Sequence, residues 1–286
     1  MQVGILGTGL MGAPMALRLQ QAGFEVTAWN RTAQKLAPLQ QAGITTVESA
    51  AAAIARTEIT LTMVSDAAAI RSALLAEPAA LQGRTILQMG TIAPAESRDL
   101  NEQIRAAGGA YLEAPVLGSI PQVKAGSLIV MVGASPEQYD QWLPVLKCFG
   151  SAPQLMGPVG TAAATKLAMN QLIGTLTAAF SMSLGLVQQE GLEIEKFMSI
   201  LRESALYAPT FDKKLERMCN RNFADPNFPT KHLLKDMNLF VQAAQAQGLD
   251  TTVAASVSKV AEKAIAQGLA DQDYSSIYSA LNPAKP

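Results

Sequence analysis

Short apolar runs recur through the first half of the chain, at residues 2–6, 25–29, 58–64, 84–89, 110–114, 128–132 and 154–156. Each is too short for a helix, and most are followed by a stretch in which apolar residues return every three or four positions. That alternation predicts strands buried on both faces and joined by crossover helices, the pattern of a doubly wound parallel sheet. After Gly157-Pro158-Val159-Gly160 the strand signal stops. A helical pattern covers 161–190, and shorter ones follow near 193–202, 210–219, 230–247 and 251–267. The expected fold class is therefore α/β, with a doubly wound sheet over 1–160 and an all-helical domain over 161–286. No low-complexity linker separates the halves, so the long helix beginning at Thr161 is the expected connection between domains.

The first apolar run ends in Gly7-Thr8-Gly9-Leu10-Met11-Gly12, followed by a helical pattern over 10–21 that Gly23 stops. In that setting Gly7 makes the tight turn and Gly9 lets the backbone approach a pyrophosphate. Gly12 lets the next helix pack on the sheet, and the positive end of that helix receives the phosphates. The turn, with Leu10 and Met11 inside it, predicts a Rossmann dinucleotide site. At the end of the second strand, where a carboxylate would bind an unphosphorylated ribose, the chain has Asn30-Arg31-Thr32. A carboxylate repels a 2′-phosphate, whereas the Arg31 fork attracts one and Asn30 and Thr32 add neutral donors. NADP(H) is the expected cofactor.

Composition narrows the partners. The 286 residues carry a formal net charge of -1 without a basic cluster, which gives no footprint for nucleic acid or an anionic membrane. No apolar run reaches the length needed to span a bilayer. The two cysteines, Cys148 and Cys219, lack metal-ligand spacing, and the start lacks a signal-type segment. A reducing, cytoplasmic location and no metal site are the expectations. The alanine-rich long helix suits packing against a second copy, so a homodimer or homotetramer is expected.

Candidate chemistry lies early in that helix. Lys166 and Asn170 share a helical face, about 6 Å apart along the axis. A lysine near a helix N-terminus feels unfavourable positive potential, and enclosure adds desolvation of the same sign. Its pKa is therefore expected to fall toward neutrality, which suits a general acid.

Five segments in order make the chain resemble the β-hydroxyacid dehydrogenase family: Gly7 to Gly12, Gly90-Thr91 to Pro94, Glu113-Ala114-Pro115-Val116-Leu117-Gly118-Ser119, Gly160 through Lys166 to Asn170, and Lys235-Asp236. The third of these and the stretch from Asn227 to Asp236 look most like its glyoxylate and succinic semialdehyde reductase branch. The resemblance implies a reductase of small aldehydo or keto acids, that is, a carbonyl substrate bearing a carboxylate. It implies that Met63, Val64, Ser65 and Asp66 line the nicotinamide side, with Thr91 beside nicotinamide and substrate. Lys166 matches the proton donor and Asn170 the residue that orients it. Lys235 matches a closing residue that also touches the cofactor, and Asp236 its partner. Alternatives within the family are a 3-hydroxyisobutyrate or tartronate semialdehyde type of enzyme. An imine reductase shares the architecture, but the retained lysine argues against it. An alternative outside catalysis is a silent dinucleotide-binding module.

The chain departs from the family pattern at Leu117, where serine is usual, and at Met169, where many relatives have a further asparagine. An extended loop would bring Ser119 to the face of Leu117 and restore a hydroxyl. Backbone N–H groups around Gly118 are expected to form an anion-binding nest. His232 with Asp236 is read as a surface pair, not an acid–base dyad. Lys231 is read as a solvated charge, and Met169, Met182 and Met198 as core filler. Trp29, Tyr207 and Phe211 are candidates for a ligand cleft, though packing alone would explain them.

Overall fold

The structure is a computed structural model that describes residues 1–283; the last three positions of the 161–286 expectation lie outside the described residues. The chain divides into two compact units, the first ending at Lys166 and the second beginning at Leu167, so the division falls inside the long helix.

The first unit is built on a sheet. Its strands are β1 (Gln2–Leu6), β2 (Glu25–Trp29), β3 (Thr45–Thr46), β4 (Ile59–Thr62), β5 (Thr85–Gln88), β6 (Ala110–Glu113), β7 (Val116–Leu117), β8 (Ile129–Gly133) and β9 (Gln154–Gly157). They lie in the order β3-β2-β1-β4-β5-β6-β8-β7, with β9 on β8. The helices between them are α1 (Gly12–Gln21), α2 (Ala37–Gln41), α3 (Ala50–Ala55), α4 (Ala67–Leu74), α5 (Pro94–Ala106), α6 (Ile120–Ala125) and α7 (Pro136–Leu146). Helix α8 (Thr161–Gln189) follows.

Burial on both faces explains the nearly continuous apolar runs. Val3 and Ile5 of β1 join Met15, Ala16 and Leu19 of α1 in one core, while Leu6 joins Ile54, Ile70 and Ile86 in the other. Every strand expected from the sequence is present, with no end displaced by more than two residues. Three features differ. Strand β8 pairs antiparallel to β6, so the sheet is parallel from β3 to β6 and mixed beyond it. The two-residue strands β3 and β7 are too short to leave a periodic signal. Helix α1 begins at Gly12 instead of Leu10, because the preceding residues form the turn itself.

The second unit contains α9 (Ile194–Glu203), α10 (Thr210–Cys219), α11 (Thr230–Gln245), α12 (Thr252–Ala266) and α13 (Ile277–Leu281), together with α8 from Leu167 onward. One core joins Ala178 of α8 to Leu233 and Met237 of α11 and Val257, Ala261 and Ala264 of α12. A second gathers Phe180, Leu184, Met198, Phe211 and Met218. The segment from Tyr274 to Leu281 returns to both cores: Ile277 and Ala280 enter the first and Tyr278 the second. Just ahead of it, Asp273 pairs with Lys214 at 2.8 Å, both buried, and accepts from the Ser275 N–H. The Asn282 amide then donates to the Ser181 carbonyl at 2.8 Å.

Packing corrects some side-chain expectations. Phe211 stacks on Phe180 with centroids 4.6 Å apart, and Tyr207 meets Phe211 edge-on, so both serve the core. Met198 is fully buried core, whereas Met182 is 62% exposed on the outer face of α8. No described helix is long and apolar enough to cross a membrane.

Candidate active site

The loops after β1, β4 and β5 converge at the carboxyl ends of their strands, where open α/β sheets bind ligands. Gly7 has φ +94 and its N–H bonds the Trp29 carbonyl at 2.9 Å. A Cβ on Gly7 would run into the Met63 carbonyl oxygen, and one on Gly12 would overlap the Gly7 carbonyl oxygen. A Cβ on Gly90 would lie 3.0 Å from the Val64 carbonyl oxygen. Gly9 differs from these: a Cβ there meets nothing within 4 Å. Helix α1 also starts without a side-chain cap, whereas Ser49, Asp66 and Ser135 cap α3, α4 and α7. An open glycine in front of an uncapped helix end fits the phosphates of a dinucleotide.

The segment after β2 is less free than the sequence suggests. Asn30 Oδ1 accepts the Thr8 N–H at 3.0 Å, and Asn30 Nδ2 donates to the Thr32 carbonyl at 2.9 Å. Asn30 thus braces the glycine turn, leaving exposed Arg31 and Thr32 as the side chains open to a phosphate. In the next loop, Asp66 accepts from the Ala69 N–H at 2.8 Å and from Ser65 Oγ at 2.7 Å. This fixes the end of the 63–66 turn. Thr91 is half-buried beside Gly90.

The 116–119 loop differs from its expectation. Leu117 pairs with Ile129 in a short antiparallel strand, and Gly118 has φ +132. The positive φ interrupts the extended run, so the alternating-face argument that linked Ser119 to Leu117 does not apply. Ser119 instead closes the start of α6: its N–H and hydroxyl both reach Gln122 Oε1, at 2.9 and 2.8 Å. A nest that includes the Ser119 N–H is therefore already filled by this glutamine.

Lys166 lies in the second turn of α8, half-buried, and Asn170 follows one turn later, 3% exposed. Within the second unit Asp236 of α11, also 3% exposed, ties two expected site residues together. Asn170 Nδ2 donates to Asp236 Oδ2 at 2.6 Å. Lys235 Nζ lies 2.9 Å from Asp236 Oδ1, an ionic contact off hydrogen-bond alignment. A carboxylate that accepts from the amide nitrogen fixes which way the Asn170 amide is turned. Burial pushes the His232 pKa down, and the Lys235 charge adds to the effect. Its ring stacks on Phe228, and exposed Lys231 pairs with Asp271 at 2.5 Å. Among the described residues no group of histidine, cysteine, aspartate and glutamate is arranged to hold a metal ion.

One residue near this chemistry has no expected role from the sequence. Glu113, at the end of β6, is 1% exposed, and its carboxyl accepts from the backbone of Gly160 at 2.8 Å and Ala163 at 3.0 Å. In the sequence it closes the otherwise apolar Tyr111-Leu112 run and opens the 113–119 segment, with no role of its own attached to it.

Comparison with known proteins accounts for both halves. The profile for the NAD binding domain of 6-phosphogluconate dehydrogenase matches residues 2–160. The profile for the NAD-binding domain of NADP-dependent 3-hydroxyisobutyrate dehydrogenase matches residues 160–281. The chain is 33% identical to glyoxylate/succinic semialdehyde reductase 1 of Arabidopsis thaliana, over 98% of each chain. It is 30% identical to the human cytokine-like nuclear factor N-PAC, over 98% of this chain and 51% of that protein. A solved Mycobacterium tuberculosis 3-hydroxyisobutyrate dehydrogenase with L-serine superposes with a TM-score of 0.89 at 23% identity, over 98% of each chain. The chain belongs to the β-hydroxyacid dehydrogenase family of NAD(P)-dependent oxidoreductases acting on CH–OH groups, near its glyoxylate and succinic semialdehyde reductase branch.

Proposed function

We propose that the chain reduces small aldehydo and keto acids with NADPH, succinic semialdehyde to 4-hydroxybutyrate and glyoxylate to glycolate. The observation that carries this reading is the Asn170 amide clamped by buried Asp236 one helical turn after Lys166. A buried amide held in one orientation is of most use where it must aim at a reacting group. The cofactor supplies hydride. Gly7, Gly9, Leu10, Met11 and Gly12 hold its phosphates, Arg31 and Thr32 its 2′-phosphate, and Met63, Val64, Ser65 and Thr91 flank its nicotinamide, with Lys235 a further contact.

Lys166 Nζ gives its proton to the substrate oxygen as charge develops there, and Asn170 orients both groups. The backbone around Leu117 and Gly118, the Ser119 hydroxyl if Gln122 releases it, and Lys235 held by Asp236 take the substrate carboxylate. The uncrosslinked cysteines Cys148 and Cys219 suit a reducing cytoplasm. Exposed Leu172, Leu176, Met182 and Leu186 along α8 suit burial against further copies in a homodimer or homotetramer.

The test is loss of reduced-nicotinamide absorbance with glyoxylate and with succinic semialdehyde, using NADPH or NADH, in wild type and Lys166→Ala. Turnover that prefers NADPH and falls roughly 100- to 10,000-fold in the variant is expected. Activity only on 3-hydroxyisobutyrate with NADP+, read as a gain of that absorbance, or only on tartronate semialdehyde with NADPH replaces the substrate class. One relative is named a nuclear factor and not an enzyme, and the second reading, a dinucleotide-binding module without turnover, has as its mark NADPH binding with no consumption of any of these compounds.

A further inference from the structure

At their carboxyl ends, four strands of the first unit close in a row of register partners: Leu6 of β1, Thr62 of β4, Gln88 of β5 and Glu113 of β6. Side chains in such a row share one face of the sheet, here the face of the core that holds Leu6, Ile86 and Tyr111. Thr62 and Gln88 are each 1% exposed, and each keeps one buried polar atom without a hydrogen-bond partner, Thr62 Oγ1 and Gln88 Oε1. Adjacent strands lie about 4.8 Å apart, so the two side chains rise from the sheet as neighbours, yet they do not bond each other.

The surroundings supply no protein partner for either atom. The Met63 N–H bonds the Leu6 carbonyl at 2.8 Å, the Met89 N–H the Thr62 carbonyl at 3.0 Å and the Ala114 N–H the Gln88 carbonyl at 2.7 Å. Of the outer members of the row, Leu6 is apolar, and the Glu113 carboxyl is taken by the N–H groups of Gly160 and Ala163 and by the Ser97 hydroxyl. Two unmatched polar atoms side by side in a core are a cost that the fold must offset or fill. Gly90 leaves room next to them. A Cβ placed on it would stand 3.9 Å from both terminal atoms of Gln88 and 3.0 Å from the Val64 carbonyl oxygen. With no side chain there, the end of the Gln88 amide and the Val64 carbonyl border the same small space.

We propose that Thr62 and Gln88 bind one buried water, and that this water ties together the roots of the two loops flanking the nicotinamide. The water accepts the Thr62 O–H and donates to Gln88 Oε1 and to the Val64 carbonyl, the usual complement of about three bonds. Both side chains are closed off from solvent, so the occupant is enclosed with the fold and does not enter as a substrate does. Turning the Gln88 amide over leaves the need in place, because a water serves an N–H as well as an oxygen. Thr62 and Gln88 end β4 and β5, and the stretches from Met63 and from Met89 spring directly from them. The role in holding the loops rests on their proposed nicotinamide contacts; the water site itself does not.

The test has three arms. In a high-resolution crystal structure of the wild-type protein, ordered solvent density within about 3.2 Å of both side-chain atoms is expected. Lack of density there, or a direct bond between the two side chains, overturns the proposal. The second arm is a urea double-mutant cycle with Thr62→Val, Gln88→Met and the pair. With a shared water, each single variant strands a polar partner and its midpoint should fall by about 0.5 M. The double variant should fall by less than the sum, because both partners leave together. Midpoints that rise in the single variants, or changes that simply add, mean two independent unmatched groups and overturn the proposal. If the variants do not fold, the crystal structure alone decides. The third arm is the Kd for NADPH under conditions where the variants are folded, read by quenching of protein fluorescence. Loops released from each other should raise it by about three- to tenfold in Thr62→Val. A Kd equal to that of wild type overturns the tie between the loops. Absence of turnover on every acid tested would remove the reductase reading and leave all three arms standing.

Discussion

Replacing Asp236 separates the clamp on Asn170 from the rest of the fold. In Asp236→Ala the Asn170 Nδ2 hydrogen, bonded at 2.6 Å and 3% exposed, loses its acceptor. A buried donor stranded in this way costs about 1–3 kcal/mol. Lys235 has a side chain 27% exposed, so water takes over most of its share and the lost ion pair adds at most about 1 kcal/mol. The sum spans about 1–4 kcal/mol, and its middle, about 2–3 kcal/mol of unfolding free energy, is read as a lower urea midpoint at unchanged slope. The same clamp aims Asn170, so kcat/KM for a semialdehyde acid should fall roughly 30- to 150-fold, the rate equivalent of that free energy. Asp236→Asn keeps an acceptor for Asn170 and should recover most of the stability while losing the hold on Lys235. Asp236→Ala with unfolding free energy within about 0.5 kcal/mol of wild type and turnover within about threefold would refute the clamp.

Arg31→Ala should reduce the NADPH-over-NADH preference in kcat/KM by roughly 10- to 100-fold while sparing the NADH rate, because it removes charge-assisted bonds to the 2′-phosphate alone. Gly12→Ala forces a methyl into the Gly7 carbonyl, so it should lower stability by about 3 kcal/mol and abolish the quench of protein fluorescence by NADPH. His232, whose pKa is lowered by burial, binds its proton more readily in the unfolded chain. Its contribution to stability is therefore present above the ordinary histidine value and is lost as pH falls through the lowered one. Unfolding free energy measured through that interval should show a shallower acid slope in His232→Gln than in wild type.

The sheet and its glycine turn were legible because they rest on local requirements. Apolar runs buried on two faces can be little else, and a chain that brings the Gly12 backbone against the Gly7 carbonyl tolerates no side chain there. Lys166, Asn170, Lys235 and Asp236 were legible as a set of residue types, and the bond between Asn170 and Asp236 supplied the geometry. What the sequence hid is long-range or too small. Asn30 looks like a spare donor until Thr8 and Thr32 claim its amide. Ser119 looks like a replacement hydroxyl until Gln122, three residues on, takes it. Glu113 finds its donors 47 and 50 residues away, and no spacing rule connects a strand end to a helix start over that distance.

The return of residues 274–281 into both cores of the second unit gives the chain a direction in time. The first unit draws its sheet and both of its cores from residues already made by the time α8 is synthesised, and it can consolidate while synthesis continues. The helices of the second unit have no such opportunity. Until Tyr278 and Asn282 have left the ribosome, Phe180 and Phe211 lack one wall and the Ser181 carbonyl lacks the Asn282 amide, so this half waits with apolar faces open. Newly made chains halted just before Tyr274 would be the form most exposed to chaperones and to aggregation.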